Sequence, residues 1–308
     1  MIQEIVLTAL MSMTPTEKKA LDNFQARLER NGYDISQYIE DPRFGIYRFK
    51  KGKHINYADT TESWYMKRDS IEKCADFIEE EYYWLKKAEN EFGPSPEHIA
   101  SQLQLETNCG QYTGERSLLN SFISVYIDRP DRRNEFYRYM TDFLDLFADT
   151  TDNIVLPTDI FKINGSWAGA YGIAQMMPDV LKKYGKISDF DGDGYFDPMN
   201  MPDAIGFMAR YLADHGFGKN ALGATHDYNS GHPFYASSIG KHAAELMEIM
   251  ENRMRIPPEK IRYRTDAIII DMKTPKYDSL RDMKPAAIMP QARPLGKNRL
   301  FNRRLGRR

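Results

Sequence analysis

Glu106 stands in the run Leu105-Glu106-Thr107-Asn108-Cys109-Gly110, and its surroundings are those of an acid that could do chemistry. Burying a carboxyl group disfavours its charged form and raises its pKa. Such an acid keeps its proton near neutral pH and can hand it to a poor leaving group. The apolar neighbours Leu103 and Leu105 favour that environment. Downstream lies Gly165-Ser166-Trp167-Ala168-Gly169-Ala170-Tyr171-Gly172-Ile173-Ala174-Gln175-Met176-Met177-Pro178. Small residues there let backbone approach a bulky ligand closely, and Gln175 carries both a donor and an acceptor for hydroxyls or amides. Taken singly, each feature has a plainer explanation. A glutamate at a helix end is ordinarily solvated surface, a glycine-rich run is ordinarily a tight turn, and Asp227-Tyr228-Asn229 alone says little.

A second cluster is Asp189-Phe190-Asp191-Gly192-Asp193-Gly194-Tyr195-Phe196-Asp197. Oxygen ligands at positions 1, 3 and 5, glycine at 6, a backbone carbonyl at 7 (Tyr195) and an acid at 9 are what Ca2+ requires. The alternative is a solvated acidic turn. Position 12 is Asn200 rather than the usual bidentate glutamate. The loop is single, so a structural calcium beside a cleft is expected rather than a switch. Asp203 follows at the start of a helix, either as a further ligand or as an N-cap.

The elements that must position these residues are mostly helical. Thr14-Pro15-Thr16-Glu17 reads as a capping box, opening a helix to about Gly32. Residues 40–62 read as an irregular polar-aromatic strap. Apolar residues recur at helical spacing from Ser70 to Phe92 until Pro94-Ser95-Pro96 breaks the pattern. Glu97–Glu106 is the next helix, ended by Asn108-Cys109-Gly110 with Gly110 as its cap, so Glu106 sits in a last turn that backs onto the core. Further helices are expected at Ser117–Ile127, Arg132–Phe147, Pro178–Tyr184, Asp203–His215 and Tyr235–Arg253. Beyond Arg253 prolines argue against long helices. Ala267-Ile268-Ile269-Ile270 reads as a strand, and Arg293–Arg308 as a flexible basic tail that could hold an anionic polymer or a membrane surface.

Of the 308 residues, 42% are hydrophobic and 28% charged, with a net charge of −2. That is an ordinary globular balance, with no global field calling for nucleic acid. Aromatic residues make up 12%, 19 of them tyrosines, and such rings serve as stacking faces for sugars or as core. Cys74 and Cys109 are too few for a disulfide scaffold or a zinc site, and two ordinary thiols are expected. No apolar run approaches the ~20 residues of a membrane helix. The N-terminus has Glu4 and no basic start, so it does not read as a secretory signal.

Together these motifs resemble the lytic transglycosylases, in particular the membrane-bound lytic murein transglycosylase B family. Its Glu-Thr-x-x-Gly appears at Glu106–Gly110, its Gly-Ser-x-Ala-Gly-Ala-x-Gly-x-x-Gln-x-Met-Pro at Gly165–Pro178, and its Tyr-Asn at Tyr228-Asn229. A Pro-Arg-Arg element is approximated by Pro130-Asp131-Arg132-Arg133. The resemblance implies a mainly α, lysozyme-like catalytic domain over 14–252, with an EF-hand-like calcium loop, a helical N-terminal part and a C-terminal extension, 253–308. It implies cleavage of peptidoglycan between N-acetylmuramic acid and N-acetylglucosamine, with Glu106 as the single acid and 1,6-anhydromuramoyl ends as product. An ordinary glycosidase needs a second carboxylate, and none stands near the motifs. By the same resemblance Ser166, Gln175, Met177, Tyr211, Tyr228, Asn229 and Tyr235 line the cleft, Arg132 or Arg133 meets substrate carboxylates or peptide stems, and Asp203 completes the calcium site. The substrate implies an extracytoplasmic location. A hydrolytic muramidase on the same fold and a catalytically weakened wall-binding protein are the competing readings. Asn108-Cys109 and the stretch Gly231-His232-Pro233-Phe234 depart from the family pattern.

Overall fold

The helix that carries Glu106 begins on a serine and a proline. In the computed structural model, which describes residues 13–48, 64–149 and 153–254, the Ser95 hydroxyl accepts from the His98 N–H. Pro96 fills the first turn, where its missing N–H costs nothing. The chain before it forms α1 (Pro15–Arg30), α2 (Ser36–Ile39), α3 (Arg68–Glu80) and α4 (Tyr82–Phe92), and this helix is α5 (Pro96–Thr107). After it come α6 (Leu118–Asp128), α7 (Arg133–Ala148), α8 (Pro178–Tyr184), α9 (Met201–Asp214), α10 (Ala221–Tyr228) and α11 (Tyr235–Met254). One two-stranded antiparallel ribbon joins β1 (Arg116–Ser117) to β2 (Asn164–Gly165), pairing Arg116 with Gly165.

α5 is the central element. It packs against α11, α3, α4 and α9, and Ile99, Ala100, Ser101, Gln102 and Leu103 are fully buried. A helix covered on all sides holds its residues rigidly, because interior packing leaves no slack for rotation. The Thr14 capping box of α1 forms as expected, with the Thr14 N–H on Glu17 Oε2 at 2.7 Å and the Glu17 N–H on Thr14 Oγ1 at 3.3 Å. α1 rests on α6 through Phe24, whose ring meets Tyr126 at 4.2 Å between centroids.

Two expectations are corrected. The segment Ser70–Phe92 is not one helix but two, broken at Glu81, where φ is −101° and ψ 17°. The cause is packing: α3 lies against α5 and α11, whereas α4 must reach α9, and one straight rod cannot serve both directions. The cap of α5 is Asn108, not Gly110. Asn108 takes the left-handed conformation at φ 52°, followed by Cys109 at 54° and Gly110 at 86°. Asparagine tolerates that region better than other side chains, and the following Cys109 is held there by its Sγ–H on Gln104 Oε1 at 3.1 Å. Both cysteines are free thiols, Cys74 fully buried and Cys109 half-buried.

Of the strap expected over 40–62, residues 40–48 are described and are tied to α6 by Asn120 Nδ2 donating to the Arg43 carbonyl and the Tyr47 N–H donating to Ser124 Oγ. The rest of that strap, the strand expected at 267–270, the basic tail and the extension beyond residue 254 lie outside the described residues. Among the described residues no helix is long and apolar enough to cross a membrane.

Because α5 is seated by Leu103, Leu103→Ala is expected to cost about 2–5 kcal/mol of stability by urea unfolding. A loss under about 1 kcal/mol would mean that α5 is not the structural centre.

Candidate active site

Glu106 occupies the next-to-last position of α5. Its side chain is half-buried: protein crowds one side and a cavity of about 460 Å³ opens on the other. Burial pushes its carboxyl up to about 7, and a hydrogen bond from Tyr235 opposes that only in part. The Tyr235 hydroxyl donates to Glu106 Oε1. With Oε1 engaged as acceptor, the acid's own proton belongs on Oε2. The environment expected of a general acid is therefore present, and its cause is desolvation rather than a neighbouring charge.

An aromatic ladder backs this pair. The Tyr235 and Tyr228 rings lie 6.4 Å apart and within 3° of parallel. Tyr228 meets Tyr211 edge-on at 4.8 Å, and Tyr211 stacks on His215 at 3.9 Å. The Tyr211 hydroxyl donates to the Asp227 carbonyl at 3.3 Å, fixing the approach to Tyr228. Burial raises the phenol pKa of all three tyrosines, so they remain donors at neutral pH. Of the tyrosines expected in the cleft, Tyr235 therefore touches Glu106 and the other two support it.

The run from Gly165 to Pro178 is pinned to this centre at two points. Thr107, next to the acid, donates its hydroxyl to the Ile173 carbonyl at 2.8 Å, and the Tyr228 hydroxyl donates to the Ala174 carbonyl. Gln175, in the left-handed region at φ 49°, sends its amide N–H groups to the carbonyls of Gly172 at 2.9 Å and Thr113 at 3.1 Å. Its donors are thus spent within the protein, and its Oε1 is the group that remains for a ligand. Ser166 Oγ accepts from the Ala170 N–H at 2.9 Å. The small residues have a different reason from the one expected. A Cβ on Gly169, at φ 95°, would lie 2.1 Å from Phe122 Cε1, and one on Gly165 would lie 2.1 Å from the Ala170 carbonyl oxygen. These glycines let the loop fold on itself and on α6. Met177 caps α8 half-buried, and Asn229 is exposed at the end of α10.

Arg132 and Arg133 are placed otherwise than expected. Arg132 forms a fork with Glu135 at 2.8 and 2.7 Å, and Arg133 donates to the Tyr126 carbonyl at 3.0 Å. Neither lines the cavity at Glu106, and nor do Ser166, Gln175, Met177, Tyr211, Tyr228, Asn229 or Tyr235, which lie on the other side of the acid's turn or behind it. That cavity is instead lined by Trp64, Lys67, Asp69, Ser70, Lys73 and Tyr112 besides Leu105–Asn108. Asp69 is a second carboxylate on the same wall, which the linear motifs do not reveal. The signal for this wall was present: Lys67, Ser70 and Lys73 recur every three residues at the start of α3, with Ser70 on the face of the buried Cys74 and Ile78.

In the acidic loop one oxygen each of Asp189, Asp191 and Asp203 lies within 4.8 Å of the others. Asp189 accepts from the N–H groups of Gly192 and Gly194, both at 2.8 Å. Asp203 is 1% exposed and accepts from Phe190 and Asp197 N–H, both at 2.8 Å. Burial still pushes its carboxyl up to about 6. Asp203 is not the N-cap of α9; Asn200 is, accepting from the Asp203 N–H at 3.2 Å. Asp193 and Asp197 stand outside the converging group, each accepting a backbone N–H two residues on. Tyr195 has an exposed ring, and its backbone N–H donates to Asp193 Oδ1 at 2.8 Å.

A family model described as Transglycosylase SLT domain matches residues 17–269. Over 135 residues the chain is 33% identical to the membrane-bound lytic murein transglycosylase B of Escherichia coli (strain K12). That match covers 44% of this chain and 35% of the relative, so the chain spans about a third of that protein's length. The fold is similar to the Escherichia coli lytic transglycosylase Slt35 in complex with calcium, at a TM-score of 0.61 and 20% identity, over 77% of this chain and 94% of that one. It is similar also to the soluble lytic transglycosylase SltB1 of Pseudomonas aeruginosa, at a TM-score of 0.58 and 20% identity, over 75% and 99%. These likenesses show the lysozyme-like helical fold.

The raised Glu106 acid has a stability consequence. Between its ordinary 4.5 and about 7, the folded state binds more proton than the unfolded state. Stability therefore falls as pH rises through that window. Glu106→Gln keeps an acceptor for Tyr235 but removes the buried charge. It is expected to melt higher than the unaltered protein at pH 8, by about 1–3 kcal/mol, and no higher at pH 4. An equal difference at both pH values would contradict the burial.

Proposed function

The chain belongs to the transglycosylase SLT family, whose model covers residues 17–269, and from that premise we propose that it cuts peptidoglycan glycan strands as a lytic transglycosylase. The observation that carries this reading is the single acid: one carboxyl, half-buried and raised to about 7, held by a tyrosine hydroxyl at the mouth of a cavity. The substrate is the β-1,4 bond from N-acetylmuramic acid to N-acetylglucosamine, and an extracytoplasmic site of action follows from it.

Glu106 Oε2 gives its proton to the bridging oxygen as the C1–O bond breaks, and the N-acetylglucosamine end leaves as an alcohol. The resulting carboxylate is momentarily charged in an apolar pocket. The Tyr235 hydroxyl on Oε1 stabilises it there, since a hydrogen bond to an ionised acceptor is stronger than one to a neutral acceptor. Glu106 then takes the proton from the muramic C6 hydroxyl while that oxygen bonds to C1. The acid is restored, a 1,6-anhydro ring is closed, and no water is consumed. Burial serves both steps, because a carboxyl near 7 is a competent acid and a competent base at neutral pH. Ser166, Gln175 through Oε1, Met177, Tyr211, Tyr228, Asn229 and Tyr235 form the wall we assign to the glycan. Arg132 and Arg133 have structural partners in place of that role.

Asp69 on the cavity wall gives the hydrolytic reading its one foothold, as a base for water. Mass spectrometry of purified peptidoglycan digested in 18O water separates the two. Anhydromuramoyl ends without 18O, absent with Glu106→Gln, are expected. Reducing ends carrying 18O that disappear in Asp69→Asn would make the protein a muramidase. No soluble product from any of the three would favour a wall-binding protein.

A calcium ion fits the acidic loop. Three carboxylates converge there, one of them almost fully buried and pushed towards its neutral form, and a buried carboxylate of that kind calls for a cation. Asp189, Asp191 and Asp203 would hold it, with the Tyr195 carbonyl at the seventh position and Asp193 or Asp197 as outer partners. The ion would neutralise the loop and fix it to α9, without part in the chemistry; one structural relative is described in complex with calcium. At pH 7, Ca2+ at about a hundred times its Kd is expected to add about 2.7 kcal/mol of stability. EDTA should remove the gain and Asp203→Asn abolish it. A melting temperature indifferent to calcium would dismiss the site.

A further inference from the structure

One turn behind the acid, α5 buries a polar side chain that the cleavage chemistry does not use. Gln102 is 0% exposed, and neither its amide nitrogen nor its amide oxygen has a hydrogen-bond partner among the described residues. A buried amide in that state is costly, and an apolar side chain of the same shape would be easier to house. An unmet donor of this kind calls for a reason in the working of the site.

Helix geometry places the amide. Gln102 and Glu106 are four residues apart on α5, so they share one face with their Cβ atoms about 5–6 Å apart. α11 covers that face. Ser101 Oγ meets His242 Nδ1 at 2.9 Å, and Tyr235 donates to Glu106. The two helices therefore run in opposite directions, and Gln102 lies between these two contacts. The groups that act on the Tyr235 hydroxyl agree with this placement. Burial, Glu106 and Tyr228 all oppose a charge on its oxygen, and the Gln102 amide alone favours one. The amide thus faces that oxygen as a donor, without closing a full hydrogen bond in the resting site.

Cleavage changes the demand on this pair. In the resting site Glu106 is neutral, and its Oε1 draws only weakly on the Tyr235 proton. Once Glu106 has given up its own proton, Oε1 carries charge and draws the Tyr235 proton towards it. The phenol oxygen then becomes a stronger acceptor, because hydrogen bonds in a chain polarise one another. We propose that Gln102 is a positioning residue for the acid: its amide N–H closes on the Tyr235 oxygen when Glu106 is ionised, and the chain from Gln102 through Tyr235 to Glu106 stabilises the carboxylate midway through the reaction. This rests on the single-acid reading above and deepens it. An interaction made only in the charged state lowers the barrier without tightening substrate binding.

Gln102→Met keeps the length of the side chain and removes the amide. The variant is expected to melt no lower than the unaltered protein, since an unpartnered polar group is relieved. On purified peptidoglycan its kcat should fall about tenfold with KM unchanged, as expected for one hydrogen bond made only to the charged form. Infrared titration should show the protonated Glu106 band persisting to higher pH, with the ionisation constant lowered about tenfold. Tyr235→Phe removes the link, so adding Gln102→Met to it should change neither kcat nor the band further. An unaltered kcat and an unmoved band in folded Gln102→Met protein overturn the proposal. So does an effect as large in the Tyr235→Phe background as without it, and so does a lower kcat that comes with a lower melting temperature and an unmoved band. If Gln102→Met does not fold, Gln102→Asn, which keeps a buried amide but withdraws it by one methylene, carries the same expectations for kcat and band. The band needs no turnover. A shifted band in a protein that cuts no peptidoglycan upholds the chain of hydrogen bonds and rejects the glycan reading, whereas cleavage with an unmoved band overturns the chain alone.

Discussion

The desolvation of one carboxyl group is the constraint on which the rest of this structure depends. A charged glutamate prefers water, and holding Glu106 against protein at the end of a buried helix costs stability at neutral pH. The fold has to supply a rigid surrounding that prevents the side chain from swinging out. α5 does this by being covered by four other helices. Tyr235, from the first turn of α11, engages one carboxyl oxygen. Thr107, the next residue along, ties the same turn to the loop that follows β2. Chemistry and architecture therefore meet over two consecutive residues.

The supports differ in kind. The aromatic ladder from Tyr235 to Tyr211 is held by ring packing and by hydroxyls donating to backbone carbonyls. The glycine-rich loop is held by close approach of backbone to Phe122 and to itself. The acidic loop is held by carboxylates accepting its own N–H groups, with Asp203 anchoring it to α9. Each device places a neighbour of Glu106 or shapes its surroundings without contributing a second charge beside the acid. That separation leaves the wall of α3, with Lys67, Asp69 and Lys73, as the charged side of the cavity.

Much of this was legible in the sequence, and the failures have identifiable causes. The helix start at Thr14 depends on a side-chain cap three residues away, so local sequence specifies it. Glu106 could be picked out because its motif is continuous. The break at Glu81 could not, since nothing in Glu80-Glu81-Tyr82 marks it; only the differing partners of α3 and α4 require it. Gly110 looked like a cap because glycine favours the left-handed region, but Asn108 reaches it first. Gln175 looked free to bind ligand, and its donors turned out to be absorbed by Gly172 and Thr113. Arg132 and Arg133 looked available, and their partners are Glu135 in the first turn of α7 and the Tyr126 carbonyl on the preceding helix α6. The lysine wall was missed because a charged stripe on a helix ordinarily faces solvent. It becomes a cavity wall only when α5 ends beside it.

The single-acid mechanism stands or falls on the protonation of Glu106. Its carboxyl stretch can be isolated by infrared difference spectroscopy, subtracting the spectrum of Glu106→Gln from that of the unaltered protein across a pH series. The protonated band is expected to persist to about pH 7, the value to which burial raises this acid. A band that disappears near the ordinary 4.5 would show a solvated carboxylate, and the single-acid mechanism would lose its physical basis.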